Sequence, residues 1–113
     1  MEVVKCFLQA SHHATYQQFA YMAKNGLIKL ILDALQMENE IEMLLDSLHV
    51  LDTMLTVGEK QAAMGKEKNE FLIKLDIEGG TKIIERLQSH REERVSLFVY
   101  KLIEEFFVSE ELV

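Results

Sequence analysis

The chain reads as an all-α protein built from two unequal helical units stacked on each other. Three observations predict this class. First, a shift of about 52 residues sets Ile31-Leu32-Asp33-Ala34-Leu35-Gln36 over Ile83-Ile84-Glu85-Arg86-Leu87-Gln88. The same shift sets Met43, Leu45, Leu51, Met54 and Leu55 over Val95, Leu97, Ile103, Phe106 and Phe107. A helical pattern repeated at that distance marks a solenoid, whose units bury their apolar faces against neighbours. Second, apolar residues recur at helical spacing along most of the chain, with no Pro and only five Gly to interrupt them. Third, Val, Thr and aromatic residues are too sparse, and too rarely alternating, to build a sheet. Two units are fewer than a solenoid ordinarily needs, so an open end is expected.

Residues 1–10 place Val3, Val4, Phe7 and Leu8 in one apolar stripe, which predicts a partial leading helix. Ser11-His12-His13-Ala14 is a short turn, and residues 15–58 form the first full repeat. Thr15 stands three before Gln18, a capping-box spacing, and opens a short helix over 16–24 with Phe19, Met22 and Ala23 on one side. Asn25-Gly26 ends that helix through a left-handed residue. A medium helix over 27–37 points Leu27, Ile28, Ile31, Leu32 and Leu35 inward. After Glu38-Asn39-Glu40, a long helix over 41–57 carries Ile41, Leu44, Leu45, Leu48, Leu51, Met54 and Leu55 at helical spacing, and Gly58 closes it. The methionines at 22, 37, 43 and 54 are expected to fill core gaps.

Residues 59–68 predict a loop, because half of them are charged and Gly65 interrupts any local helix. That loop accounts for the excess over a unit of about 42 residues. The terminal repeat spans 69–108. Asn69 caps a short helix to Ile77 with Phe71, Leu72 and Leu75 buried, Gly79-Gly80 closes it, and Thr81 caps a helix to Leu87. After Ser89-His90-Arg91, a last long helix over 92–108 carries Val95, Leu97, Phe98, Leu102, Ile103, Phe106 and Phe107. This apolar surface is broader than one neighbour covers, so part of it is a terminal cap or a partner site. Residues 109–113 form an acidic tail, and all 113 residues belong to one domain.

Composition excludes several function classes. With 49% apolar residues the chain can bury one modest core, which argues against disorder. The formal net charge of −7 argues against nucleic acid and favours a basic partner surface. No apolar stretch approaches the ~20 residues that cross a bilayer. Lys5, His12 and His13 interrupt any signal-peptide core. The single Cys6 rules out an internal disulfide and fits a reducing cytosolic or nuclear compartment. Cys6, His12 and His13 match no zinc spacing, so no metal or other cofactor is expected. No Ser/Cys-His-acid arrangement, phosphate-cradling Gly loop or His-Glu-x-x-His motif occurs. The acidic doublets Glu92-Glu93 and Glu104-Glu105 diverge around their helices instead of converging on a substrate. Enzyme activity is not expected.

The short-medium-long unit is the armadillo pattern, and the wording of the chain resembles one family in particular. Lys24-Asn25-Gly26-Leu27-Ile28-Lys29 with Leu35, Leu51 to Glu59 (LDTMLTVGE), and Glu78-Gly79-Gly80-Thr81-Lys82-Ile83 with Leu87-Gln88-Ser89-His90 follow in order. Tyr100 to Phe107 (YKLIEEFF) comes next, with Ser109-Glu110-Glu111 behind it. In that order these runs resemble the C-terminal repeats of importin-alpha, a family of nuclear-import adaptors. The resemblance implies a right-handed armadillo-type solenoid fragment and a location in nucleus and cytoplasm. The last repeats of that family contribute to binding the export receptor that recycles it and a nucleoporin that helps release cargo.

The family holds basic localisation signals between Trp and Asn residues on its third helices. Here Lys5 stands at a Trp position, and Gln9 and Thr53 at Asn positions. A Lys repels the basic signal that a Trp pair would sandwich, so cargo binding is the weakest of the readings. The expected contact residues are instead Glu104, Glu105, Glu110 and Glu111, an acidic stretch after the last cation Lys101, and the charged turn His90, Arg91, Glu92, Glu93 and Arg94. Carboxylates at a helix C-terminus oppose the helix dipole, a small cost that a binding role would explain. A solvated helix face is the plain alternative for the first group and a solvated turn for the second. A structural helical domain that self-associates through its exposed ends is the alternative for the whole chain.

Overall fold

In the computed structural model, which describes residues 15–37, 39–65 and 68–107, each unit begins with a capped short helix. Helix α1 (Tyr16–Lys24) starts at the predicted capping box: Gln18 N donates to Thr15 Oγ1 at 3.2 Å, and Thr15 N donates to Gln18 Oε1 at 2.8 Å. Two orphan donors of the first turn are thereby satisfied. Gly26, at φ +102°, reverses the chain in the left-handed conformation that a side chain resists. Helix α2 (Leu27–Leu35) buries Leu27, Ile28, Ile31, Leu32, Ala34 and Leu35. It stops two residues short of the expected end, leaving Met37 exposed instead of filling a core gap. Helix α3 (Ile41–Gly65) is the long third helix of the first unit. Helices α4 (Glu70–Ile77), α5 (Gly80–Leu87) and α6 (Glu93–Leu102) make the second unit, and α6 runs into a π-helical turn, Ile103–Phe107. The described residues are all-α, with no strand among them.

Three expectations are corrected. Gly58 does not cap α3, and 59–65 is not a loop: the helix continues through both. Glu59 to Met64 are strong helix formers, and Ala62 is buried. Gly58 is present because α4 begins against it. A Cβ there would overlap Asn69 Oδ1 and lie 2.8 Å from Phe71 Cδ2. The expected cap Thr81 is also displaced. Gly79, at φ +87°, takes that place, and Thr81 Oγ1 donates to Asp76 Oδ1 at 2.8 Å. Finally, the last long helix is not uniform to 108, since it widens to π pitch at Ile103. Val108, like residues 1–10 and the acidic tail, lies outside the described residues.

The core is organised around α3. Leu44, Leu48, Leu51, Met54 and Leu55 are essentially inaccessible, with α1, α2, α4 and α6 all packed on that helix. Asn69, itself buried, joins the units there: its Oδ1 accepts from Phe71 N at 3.1 Å while its Nδ2 donates to Leu55 O at 2.9 Å. Equivalent positions of the two units also touch directly. Phe19 and Phe71 meet edge to face at 6.3 Å, Arg91 Nη2 donates to Asn39 Oδ1 at 2.8 Å, and Arg94 approaches Glu42 at 3.7 Å, each pair 52 residues apart. Helices of equal rank pack together as well, α2 on α5 and α3 on α6.

Candidate protein-binding surface

The second unit bounds a groove of about 550 Å³, with no described residue of α3 in its lining. Helix α4 turns Ile73 and Ile77 into it, four residues apart and so on one helix face. Helix α5 contributes Ile84 and Glu85, and the π turn closes it with Ile103 and Phe107. Ile73 and Ile77 are exposed, Ile77 by 76%, and no described side chain covers them. Asp76, Thr81, Glu85 and Gln88 set polar groups among the apolar ones of this wall, and the two carboxylates make it negative. Such a surface can hold an amphipathic segment: aliphatic contact supplies affinity, and the carboxylates orient a cation.

Glu104 and Glu105 belong to the π turn that supplies Ile103 and Phe107, and both are exposed. Neither of them lines the groove. Glu110 and Glu111 lie outside the described residues. The groove itself was not anticipated from sequence. Its signal was the Ile73/Ile77 pair, which falls off the buried Phe71, Leu72 and Leu75 face of α4.

The charged turn before α6 is brought together, but onto the first unit. Besides its bond to Asn39, Arg91 is exposed, and Arg94 Nε donates to Glu92 Oε1 at 2.7 Å. Glu92 N donates to His90 Nδ1 at 3.0 Å, and the Glu93 carbonyl accepts from Ser96 Oγ at 3.1 Å. The Arg94 guanidinium is held above its ordinary pKa, first by its hydrogen bond to Glu92 and next by the charge of that carboxylate, with Glu42 adding to both. It stays a cation at any working pH. The turn thus clips the α5–α6 connection to the α2–α3 connection, with Glu93 left facing solvent.

Of the altered cargo-groove positions, Thr53 is half-buried on α3 and donates from Oγ1 to the His49 carbonyl at 3.0 Å. That bond ties it to its own helix, a common arrangement for Thr within a helix. Nearby, His49 and Phe98 meet edge to face at 4.6 Å. Lys5, Gln9, Cys6, His12 and His13 lie outside the described residues. Among the described residues no group of His, Cys, Asp and Glu is placed to hold a metal ion. No described helix is long and apolar enough to cross a membrane. No protein-family model matches the chain.

Proposed function

We propose that the chain is an armadillo-type fragment resembling the closing repeats of importin-alpha and that it works by binding protein. In this reading the partner is the family's export receptor or a nucleoporin, in a cycle between nucleus and cytoplasm. The observation that carries it is the groove of the second unit, where Asp76 and Glu85 stand among exposed isoleucines, with Glu104 and Glu105 exposed on the π turn that supplies Ile103 and Phe107. Direct contacts between residues 52 apart, together with packing of equal-ranking helices, support stacked units, because a solenoid repeat touches the same positions of its neighbour. A pulldown of the folded chain with export receptor, loaded with the GTPase that supports export complexes, and separately with the nucleoporin tests the reading. Capture of either is expected, weakened by Glu104→Lys with Glu105→Lys and more so at low salt than at high salt. Failure of both partners to bind a folded chain would sink it.

A second reading, self-association, is favoured by one specific observation. Leu97 and Tyr100, on the outer side of α6, are 60% and 58% exposed and stand three residues apart on one face. A dimer that hides α6 would bury both.

A further inference from the structure

A second groove, separate from the first, opens where the α1–α2 turn faces the end of α4. It measures about 400 Å³. Ile28, buried, lies at its base, and the exposed Ile77 forms the ridge between the two grooves. Gly26 stands at its mouth, where even an added Cβ would meet nothing within 4 Å. Three cations line it: Lys24 and Lys29 from the first unit and Lys74 from the second. Among the described residues of the lining, Glu78 is the one carboxylate.

This charge is out of keeping with the molecule. A chain with 12 Lys and Arg against 19 Asp and Glu has gathered three ammonium groups around one depression. None of the three is engaged in an ion pair among the described residues, whereas Arg94 has two carboxylates within reach. Like charges brought together at a surface repel weakly, and an anion placed among them relieves that repulsion.

The kind of anion follows from what surrounds the lysines. A long polyanion would extend beyond the patch along a chain of net charge −7, so nucleic acid is disfavoured. A short acidic segment feels chiefly the local lysines. The exposed Ile77 beside buried Ile28 offers an aliphatic side chain a place that a phosphate backbone could not use. We propose that this groove binds a short acidic segment of a partner protein, its carboxylates on Lys24, Lys29 and Lys74 and an aliphatic side chain over Ile77. The site shares Ile77 with the acidic groove proposed for transport factors but none of its lysines, and the two could be occupied by oppositely charged parts of one partner.

The probe is a short fluorescent peptide alternating Glu and Leu, titrated against the whole chain and followed by anisotropy. Binding is expected at low salt, weakening as salt rises, with no binding of the matched Lys/Leu peptide at this site. Reversing all three cations (K24E, K29E, K74E) should cost about tenfold or more in affinity, since each reversal turns an attraction into a repulsion. All three lysines are exposed, so the fold should survive, with the melt falling modestly because Glu at positions 24 and 74 opposes the dipoles of α1 and α4 at their last turns. Should the triple variant unfold, K74Q alone is expected to lose roughly two- to threefold. Absence of binding at low salt, or binding indifferent to these substitutions, would overturn the proposal. It would also fall if a single-stranded oligonucleotide bound through the same lysines, or if sedimentation showed that the lysines hold a second copy of the chain. None of these outcomes bears on the pulldown with transport factors.

Discussion

Helix α3 and the α6–π segment carry the same repeated pattern in opposite surroundings. Leu51 and Leu55 on α3 are inaccessible, while their counterparts Ile103 and Phe107 are only half-buried and line a groove. Leu45 is half-buried on α3, and its counterpart Leu97 is 60% exposed. The difference is one of neighbours: α3 has α1, α2, α4 and α6 packed on it, whereas α6 rests on α3 and α5. Identical spacing of apolar residues therefore means core in one place and available surface in the other. The pattern alone cannot distinguish them, because periodicity reports which residues share a face and not what meets that face.

The largest test of this contrast is a pair of truncations at matched positions. Leu55→Ala removes a fully buried side chain at the centre of the molecule and should cost about 2–5 kcal/mol in urea denaturation. Phe107→Ala deletes a larger side chain at the equivalent place, yet should cost only roughly 1–2 kcal/mol, because part of that side chain already meets solvent in the groove. It should also diminish capture of a transport factor, which stability loss at Leu55 would not do selectively. Equal destabilisation at the two sites would break the comparison.

The seam between α3 and α4 provides the next test. Asn69 both caps α4 and satisfies the Leu55 carbonyl, so Asn69→Ala should cost about 2–3 kcal/mol by removing a cap and leaving a buried acceptor unpaired. Gly58→Ala should cost roughly 1–3 kcal/mol, since its Cβ meets Asn69 and the Phe71 ring. In an exposed helix the same Gly-to-Ala change would stabilise. A stabilised G58A variant would show that α4 does not sit against α3 at this point. The double variant G58A/N69A should be less destabilised than the two single changes added together, because removing the Asn69 amide makes room for the methyl.

What was legible in the sequence follows the range of the interaction responsible. Thr15 with Gln18, Gly26, and Asn69 as a cap all act within a few residues of their own position, and each is found in its expected role. The apolar faces of α2 and α4 were legible for the same reason. Gly58 was misread because a glycine after an apolar run looks like a helix end. Its cause lies eleven and thirteen residues away, at Asn69 and Phe71. The charged turn from His90 to Arg94 was singled out for its charge, yet Arg91 and Arg94 spend part of that charge on Asn39 and Glu42 of the other unit. Both grooves depend on the placement of α4 against its neighbours, which no local pattern specifies. Only the residues left off its buried face, Ile73, Ile77 and Lys74, hinted at them.

The smallest expected effect is at Leu97, and it separates the two readings of function. Leu97→Gln on the outer side of α6 should leave stability within about 0.5 kcal/mol of the parent, as surface changes away from special contacts do. Its counterpart Leu45→Gln places an amide against the core and should cost roughly 1–3 kcal/mol. Sedimentation then gives the change at 97 its meaning. If the chain dimerises through α6, Leu97→Gln shifts it to monomer with the melt of the isolated subunit unchanged. If the chain is monomeric and binds through the groove of the second unit, neither its mass nor its capture of a transport factor responds, because Leu97 is not among the groove residues. A loss of stability at 97 as large as that at 45 would mean that the outer side of α6 is covered after all. The contrast between the two long helices would then rest on Ile103 and Phe107 alone.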